Sequence, residues 1–545
     1  MRQMTLSVAL EVQPESCARL SRLIDDLRLQ EESVPHSIPE SYDRIKRTVP
    51  TLHLMSMSVF PAADYDPLFV IEANFDGAPG VFWGQLEAAI GDNLRQFVRC
   101  CKRPLDQDGL LFDAITAPTS RAPIAPYFEA RTLKPSAFHQ GNRGLTRDRI
   151  LTEGDLYLAT RDEIAHSNEG RKSHYRGVSP ELIHQQLRAA LLPKFGWLDQ
   201  PAAARISAGE RIADLLRLTG FAFFVLFVLS LPGILLAALA PTGRYFIVLA
   251  IALAAILAAL LPLRTVLPDT AAPRKSSSIR PSGIRPKNWL LIAFFVPAYI
   301  AVASILSALV LVPATDRPFD IAFIGTLRAV LLGLVSVLTF AIPGVLLWVR
   351  VLERRDSSQD APPINDRLMR EMGRREDWIT QNHMGSIVLV KPGVLRTVVF
   401  RAGHWALGMV LRVTATDGYL GSMRTIHFAH WAFVNNGHRL MFFSNFDHSW
   451  ESYLDDFIEK AHGGLTLAWG SCVGFPPTRF LIKDGASHGH KFKAWARHSM
   501  AVSRFWFSAY SNLSTDQIER NFRIAQGLRK KTLSPEEARL WVNNL

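Results

Sequence analysis

Cysteine is scarce. Cys17, Cys100, Cys101 and Cys472 are the only four in 545 residues, too few to staple a fold of this length, and none belongs to a CxxC pair. A disulfide scaffold is excluded and a reducing compartment is expected. The adjacent thiols Cys100 and Cys101 have poor geometry for a mutual bridge and are expected to be buried or palmitoylated. The chain also lacks a P-loop, a dinucleotide GxGxxG behind a strand and an HExxH, so ATP-driven transport drops out. Glycine (34) and proline (32) are too few for a collagen, and 48% hydrophobic residues are too many for a disordered tail.

Charge is missing from long stretches, and that absence is informative. Leu218 to Ala240 is an uncharged run of 23 residues, where roughly 20 cross the hydrocarbon core. Tyr245 to Leu263, Trp289 to Val312 and Ala329 to Val349 supply 19, 24 and 21 more. Four membrane-spanning helices are expected, the first kinked at Pro232, with Trp289 and Trp348 at interfaces. Apart from Arg328 at one edge the spans carry no charge, whereas substrate and proton pathways need some; they read as an anchor. Glu11 interrupts the short N-terminal apolar stretch, which argues against a signal peptide.

Loop charge sets the orientation. Arg264, Arg274, Lys275, Arg280, Arg285 and Lys287 face only Asp269 between the second and third runs, which places that loop in the cytoplasm. Four spans then put both termini there too, in a multi-pass protein of the cell inner membrane. The net charge of 61 − 49 = +12 is read as topology signal and attraction to anionic lipid, not as a nucleic-acid site.

The flanking regions resemble one another. TVPTLHLMSMSVF leading to PLFVIEANFDG runs in the same order as RTIHFAHWAFVNNGHRLMFFSNFDHS. His53 matches His427, and Asn74-Phe75-Asp76 matches Asn445-Phe446-Asp447. Pro118-Thr119-Ser120-Arg121 faces Pro477-Thr478-Arg479, and Gly144 to Ile150 faces Asn512 to Ile518. The first copy reads as βαββαβ: strand Thr5 to Val12, helix Glu15 to Leu29, a hairpin, helix Val81 to Val98, strand Leu110 to Ile115. In the second copy a strand at Ser386 to Val390 precedes a helix running to Arg412. Strands Thr425 to Val434 and Arg439 to Phe446 follow, joined at Asn436-Gly437, then helix Trp450 to Ala461 and strand Leu465 to Val473. Ser514 to Gln517 spells a capping box.

Such a unit covers one sheet face and leaves the other open. Leu440-Met441-Phe442-Phe443 and Phe505-Trp506-Phe507 break the alternation expected of a wet face, so the open faces are expected to bury each other. The expected fold class is α+β plus transmembrane helices, with two ferredoxin-like repeats in a pseudo-symmetric α+β barrel and a four-helix membrane anchor. Expected boundaries are repeat 1 at 1–160, a helical linker at 161–217, spans within 218–350, a linker at 351–380, repeat 2 at 381–530 and a tail at 531–545.

Two ferredoxin-like halves closing sheet to sheet resemble the dimeric α+β barrel of dye-decolourising peroxidases and chlorite dismutases. The IHFAxW and SNFD patterns, at Ile426 to Trp431 and Ser444 to Asp447, are similar to those of a group of uncharacterised bacterial membrane proteins. That resemblance covers most of residues 380 to 530 and, more weakly, 1 to 150; it implies no established activity. The peroxidases carry a GxxDG loop whose Asp, with a later Arg, acts on peroxide, and Asn74-Phe75-Asp76-Gly77 keeps its Asp-Gly end. The resemblance thus implies haem as the cofactor to consider and carries over Asp76 alone; the chain's own candidates beside it are Arg121 and Arg479 in catalytic roles and His53, His427 and Asp447 for binding the ligand.

The leading expectation is nonetheless a membrane-anchored cytoplasmic binding, sensory or scaffolding module. Its expected partners are the bilayer and a protein or a lipophilic small molecule. The alternative is a membrane-bound haem peroxidase-like oxidoreductase acting on a lipophilic substrate. More ordinary roles compete at every candidate: Asp76 and Asp447 sit where a carboxylate caps orphan N–H groups, and His53 and His427 sit where an imidazole ties a hairpin strand. His488, His490 and His498 have spacing that suits zinc, but in a stretch that reads as a solvated loop leading into a helix.

Overall fold

The computed structural model describes residues 2–32, 42–62, 65–166, 174–202, 204–264, 286–316, 318–356, 365–377, 379–415 and 423–545. The basic residues Arg274, Lys275, Arg280 and Arg285, with Asp269, lie outside them. The protein is mixed α+β, with antiparallel sheets and, among the described residues, five helices long and apolar enough to cross a membrane. It divides into two compact units. Residues 1–211, 363–454 and 496–545 form the first, and 212–362 with 455–495 form the second. The stretch expected as the second repeat is therefore shared between units.

In the first unit β1 (Gln3–Glu11) is followed by α1 (Cys17–Glu31) and by the hairpin β2 (Leu52–Phe60) and β3 (Leu68–Asp76). Helix α2 (Pro79–Val98) follows, then β4 (Thr132–Leu133), β5 (Ala137–Gln140) and α3 (Arg147–His166). After α4 (Ala208–Leu239), whose first turn closes this part, the chain returns as β6 (Gln381–Leu389), α5 (Val394–Thr414), β7 (Ile426–Val434) and β8 (Arg439–Asp447). Helix α6 (Trp450–Trp469) begins here, and β9 (Ser503–Ser508) and α7 (Thr515–Arg529) end the unit's main elements. One sheet has the order β9-β2-β3-β1-β4 and the other β5-β7-β8-β6.

Two strands cross over. Strand β5 pairs with β7 and β9 with β2, so each sheet is completed at one edge by a strand from the opposite part of the sequence. The registers run in parallel. Gln3 lies opposite Asp76 as Gln381 lies opposite Asp447, and the β2–β3 and β7–β8 ladders both shift at a histidine, His53 and His427. One face of the first sheet packs on its helices through Leu6, Val8, Phe69, Ile71 and Phe75. Its other face meets the second sheet: Phe60, Leu68 and Val70 pack with Ala432, Val434, Met441 and Phe443. Two buried faces explain why the strands read as continuous apolar runs.

The structure corrects two expected strands. Leu110 to Ile115 belongs to the helix Gly109–Thr116, whose buried Gly109, Phe112 and Ile115 are three residues apart. Leu465 to Val473 is largely helix, because α6 continues past a break at Ala461 (φ −141°) to Trp469. A short apolar run fits either period, and here flanking helix settled the choice. The β1 edge is taken instead by the two-residue β4. Residues 161–217, expected as a linker, contain the helix Pro180–Leu191, which packs with α7 and Trp541. The capping box at Ser514 and Gln517 starts α7. Cys100 and Cys101 are free and buried, with thiols held well above their usual range by burial.

In the second unit α4, Thr242–Leu260, Ala293–Thr315 and Phe319–Arg354 are the apolar helices. The last contains a π turn at Val337–Ala341 just before Pro343. Gly233 and Gly333 let two of these helices approach until a side chain on either would clash. Buried hydroxyls find partners inside the bundle: Ser230 meets Tyr299 at 3.0 Å and Thr326 donates to the Ser304 carbonyl at 3.0 Å. The fifth apolar helix is α5, which belongs to the first unit.

Candidate functional site

The duplicated residues come together at two equivalent corners. Asp447 Oδ2 accepts the backbone N–H of Thr515, the first residue of α7, at 2.8 Å, and its Oδ1 lies 2.8 Å from His427 Nε2. Asp76 Oδ2 accepts the N–H of Arg147, the first residue of α3, at 2.8 Å, and His53 Nε2 approaches that oxygen to 3.0 Å. The carbonyls of the same histidines accept Gly141 N–H and Ala509 N–H, each at 2.8 Å, just past the crossed-over strands. Gln3 donates to the Leu145 carbonyl and Gln381 to that of Leu513, both at 2.6 Å. All four His and Asp side chains are buried. Each corner thus fastens a sheet end to the start of a helix, by satisfying N–H groups that a helix leaves orphaned.

This geometry does not fit haem ligation. His53 Nδ1 bonds the Tyr510 hydroxyl at 2.9 Å, and its Nε2 lies 3.0 Å from the Asp76 carboxylate, which leaves no open side for an iron. Burial, ahead of the nearby Asp76 carboxylate, holds the Tyr510 phenol well above its ordinary range. It keeps its proton and can donate to Nδ1. His427 Nε2 is likewise committed to Asp447. The arginines lie elsewhere. Arg121 is exposed on the segment between two helices of the first unit. Arg479 belongs to the second unit, ion-paired with Asp484 at 3.1 Å in a two-residue hairpin. His488 and His490 fall in the second unit and His498 in the first. No group of three metal-ligating side chains occurs among the described residues.

The polar heart of the sheet interface is built from residues that do not recur. Across the first sheet Ser56, Glu72 and Ser7 lie side by side; at the matching register in the second sheet stand His430, Phe443 and Gly385. Glu72 is fully buried. Its Oε1 accepts from Asn74 and, at 3.2 Å, from Asn445, the recurring asparagines of the two NFD segments; its Oε2 accepts from Ser56 at 3.3 Å. Asn445 is oriented in turn by the Trp506 indole at 2.9 Å, and Asn74 by Thr5 at 2.9 Å. Burial outweighs these three donors and pushes the Glu72 carboxyl up to about 7.

Two neutral imidazoles complete the cluster. His383 Nε2 lies 3.8 Å from Glu72 Oε2, too far for a direct bond, and its Nδ1 meets Ser503 at 2.6 Å. His430 Nε2 reaches across to Ser7 at 2.7 Å. Burial lowers both to about 3, His430 adding to the effect at His383. Both rings lie on Phe443, His430 stacked at 5.8 Å and His383 tilted at 5.6 Å. Gly385 makes room for that phenyl, since a Cβ there would fall 2.5 Å from it. A cavity of about 50 Å³ reaches His383 between Asn382, Met500, Ser503 and Trp506, room for one or two waters at roughly 30 Å³ each and far below the roughly 300–1,000 Å³ of small-molecule sites.

Sequence reasoning named the corners and missed the centre. The signal for Glu72 was present: one acid inside the run Leu68 to Phe75, which is otherwise apolar up to Asn74. Compared with known protein families, curated proteins and solved structures, the chain matches none.

Proposed function

We propose that the protein is a membrane-anchored sensory module in which two ferredoxin-like halves close as an α+β barrel, and that protonation of Glu72 is the event it registers. The observation that carries this reading is a fully buried carboxyl, pushed to about 7, with His383, which lines a water-sized cavity, 3.8 Å from it. A proton or a water fits such an approach; a bulky ligand does not. Ionisation near neutrality would leave a charge among Asn74, Asn445 and Ser56, whose neighbours belong to both sheets, so the sheet interface is the element it would bias. A buried carboxyl whose titration is moved toward neutrality is where function is to be sought. The peroxidase-like alternative is the weaker reading, because His53 and His427 are committed to Tyr510, Asp76 and Asp447. A colourless, folded purified protein without a Soret band is expected.

The test is the pH dependence of Glu72→Gln. A folded-state value of about 7 against 4.5 for the free group means that Glu72 contributes stability fully below pH 4.5 and loses it as pH rises through 7. His383 and His430, lowered to about 3 from 6.5, act in the opposite sense, their contribution fading as pH falls below 6.5. Comparing variant with parent cancels the histidines. From pH 4.5 to 8 the stability difference should move by about 3 kcal/mol in favour of the variant, and an infrared carboxylic-acid band titrating near neutrality should vanish in it. Parallel melting curves across that range would sink the assignment.

The anchor reading places the four apolar helices across the cell inner membrane with both termini in the cytoplasm. Reporters fused after Gln200, within Asp269 to Lys287 and at Leu545 should all read cytoplasmic. An external reading in that loop overturns the orientation.

A further inference from the structure

Helix α5 turns the wrong side outward for a helix that covers a sheet. Phe400, His404, Gly408 and Leu411 are buried, and a Cβ on Gly408 would fall 2.9 Å from the Ser136 carbonyl beside β5. At 3.6 residues per turn the opposite stripe is Leu395, Val398, Ala402, Trp405, Met409 and Val413. Every member is apolar where a polar face is the rule. Leu395, Val398 and Trp405 are 56, 57 and 60% exposed, and Val394 at the helix start is 85% exposed. Arg401 and Arg412 flank the stripe on one side, held by the Asn436 carbonyl and by Glu210.

The far end of α5 is pinned to the segment that leads into the apolar helices. Arg412 pairs with Glu210 at 2.6 Å, and Arg143 holds the same carboxylate at 2.5 Å. Glu210 lies in the first turn of α4. The uncharged run of α4 begins eight residues later at Leu218, about 12 Å along the axis. Helix α5 is itself long and apolar enough to span a bilayer, but crossing would strip Gly408 from β5 and carry Arg401 and His404 into hydrocarbon, which is costly.

We propose that the outer face of α5 lies in the interfacial layer of the bilayer that holds the chain's apolar helices, its axis in the membrane plane and Trp405 at headgroup depth. The proposal rests on membrane association of the chain and is independent of Glu72. Spin labels on the full chain in lipid nanodiscs test it, with Cys17→Ser beneath Val398→Cys, Trp405→Cys, Leu29→Cys or Leu235→Cys. In phosphatidylcholine with phosphatidylglycerol, labels at 398 and 405 should favour collisions with oxygen over a nickel chelate several-fold, as at 235. The label at 29, exposed on α1, should favour the chelate.

Chelate access at 398 and 405 beside lipid access at 235 would overturn this proposal alone. Labels shielded from both reagents, as against a second copy or another protein, would overturn it as well. Chelate access at 235 would defeat the anchor reading, and the proposal with it.

Discussion

Residues 1–205 expressed alone should be insoluble or aggregated, as should residues 379–545, while co-expression of the first fragment with 206–545 in membranes should restore a folded protein. The crossed-over strands are the reason. Without the second part the first sheet loses β9 from the β2 edge, and without the first part the second sheet loses β5 from β7. The interior faces lose each other too. At about 1.5–3 kcal/mol for each large side chain buried, exposing Phe60, Leu68, Val70 and Leu54 forfeits about 6–12 kcal/mol, comparable to the whole stability of a typical domain at about 5–15 kcal/mol. An open apolar sheet with an unpaired edge also invites association. A monomeric, cooperatively melting fragment 1–205 would show that the two sheets are independent.

What the sequence revealed follows from which features are local. The hairpins β2–β3 and β7–β8 were readable because apolar, β-branched and aromatic runs flank turn residues, and the α7 capping box because Ser514 and Gln517 satisfy each other. The exchange of β5 and β9 was not readable, since partner choice for a short edge strand depends on contacts hundreds of residues away. The site divided along the same line. His53, Asp76, His427 and Asp447 were visible because they recur, and recurrence selects for what both halves need, namely a fastened helix start. Glu72, His383 and His430 were invisible to that search because only one half carries each. At equivalent registers Glu72 has become Phe443, and Ser7 and Ser56 have become Gly385 and His430. Divergence at three neighbouring positions is what a single, asymmetric centre requires.

The corner carboxylates should therefore behave as fasteners. Asp447 is 1% exposed and holds both the Thr515 N–H and the His427 ring. Asp447→Ala removes the cap on the Thr515 N–H, costing about 0.5–2 kcal/mol, and leaves the buried His427 ring unpaired at about 1–3 kcal/mol, so a loss of about 1.5–5 kcal/mol is expected. Asp447→Asn should recover most of it. The amide oxygen can accept from Thr515, and its NH₂ can donate to His427 once the imidazole adopts the other tautomer. Asp76→Ala and Asp76→Asn should follow the same pattern through Arg147, with less rescue, because the Tyr510 hydroxyl at Nδ1 opposes the tautomer change at His53. Thermal melting of the four variants decides it, read beside the infrared band of Glu72. If the asparagine variants melt near the parent and keep that band, Asp76 and Asp447 are structural and the centre lies with Glu72. If Asp447→Asn melts normally but the Glu72 band shifts or disappears, the corners take part in the response and cannot be assigned to fastening alone.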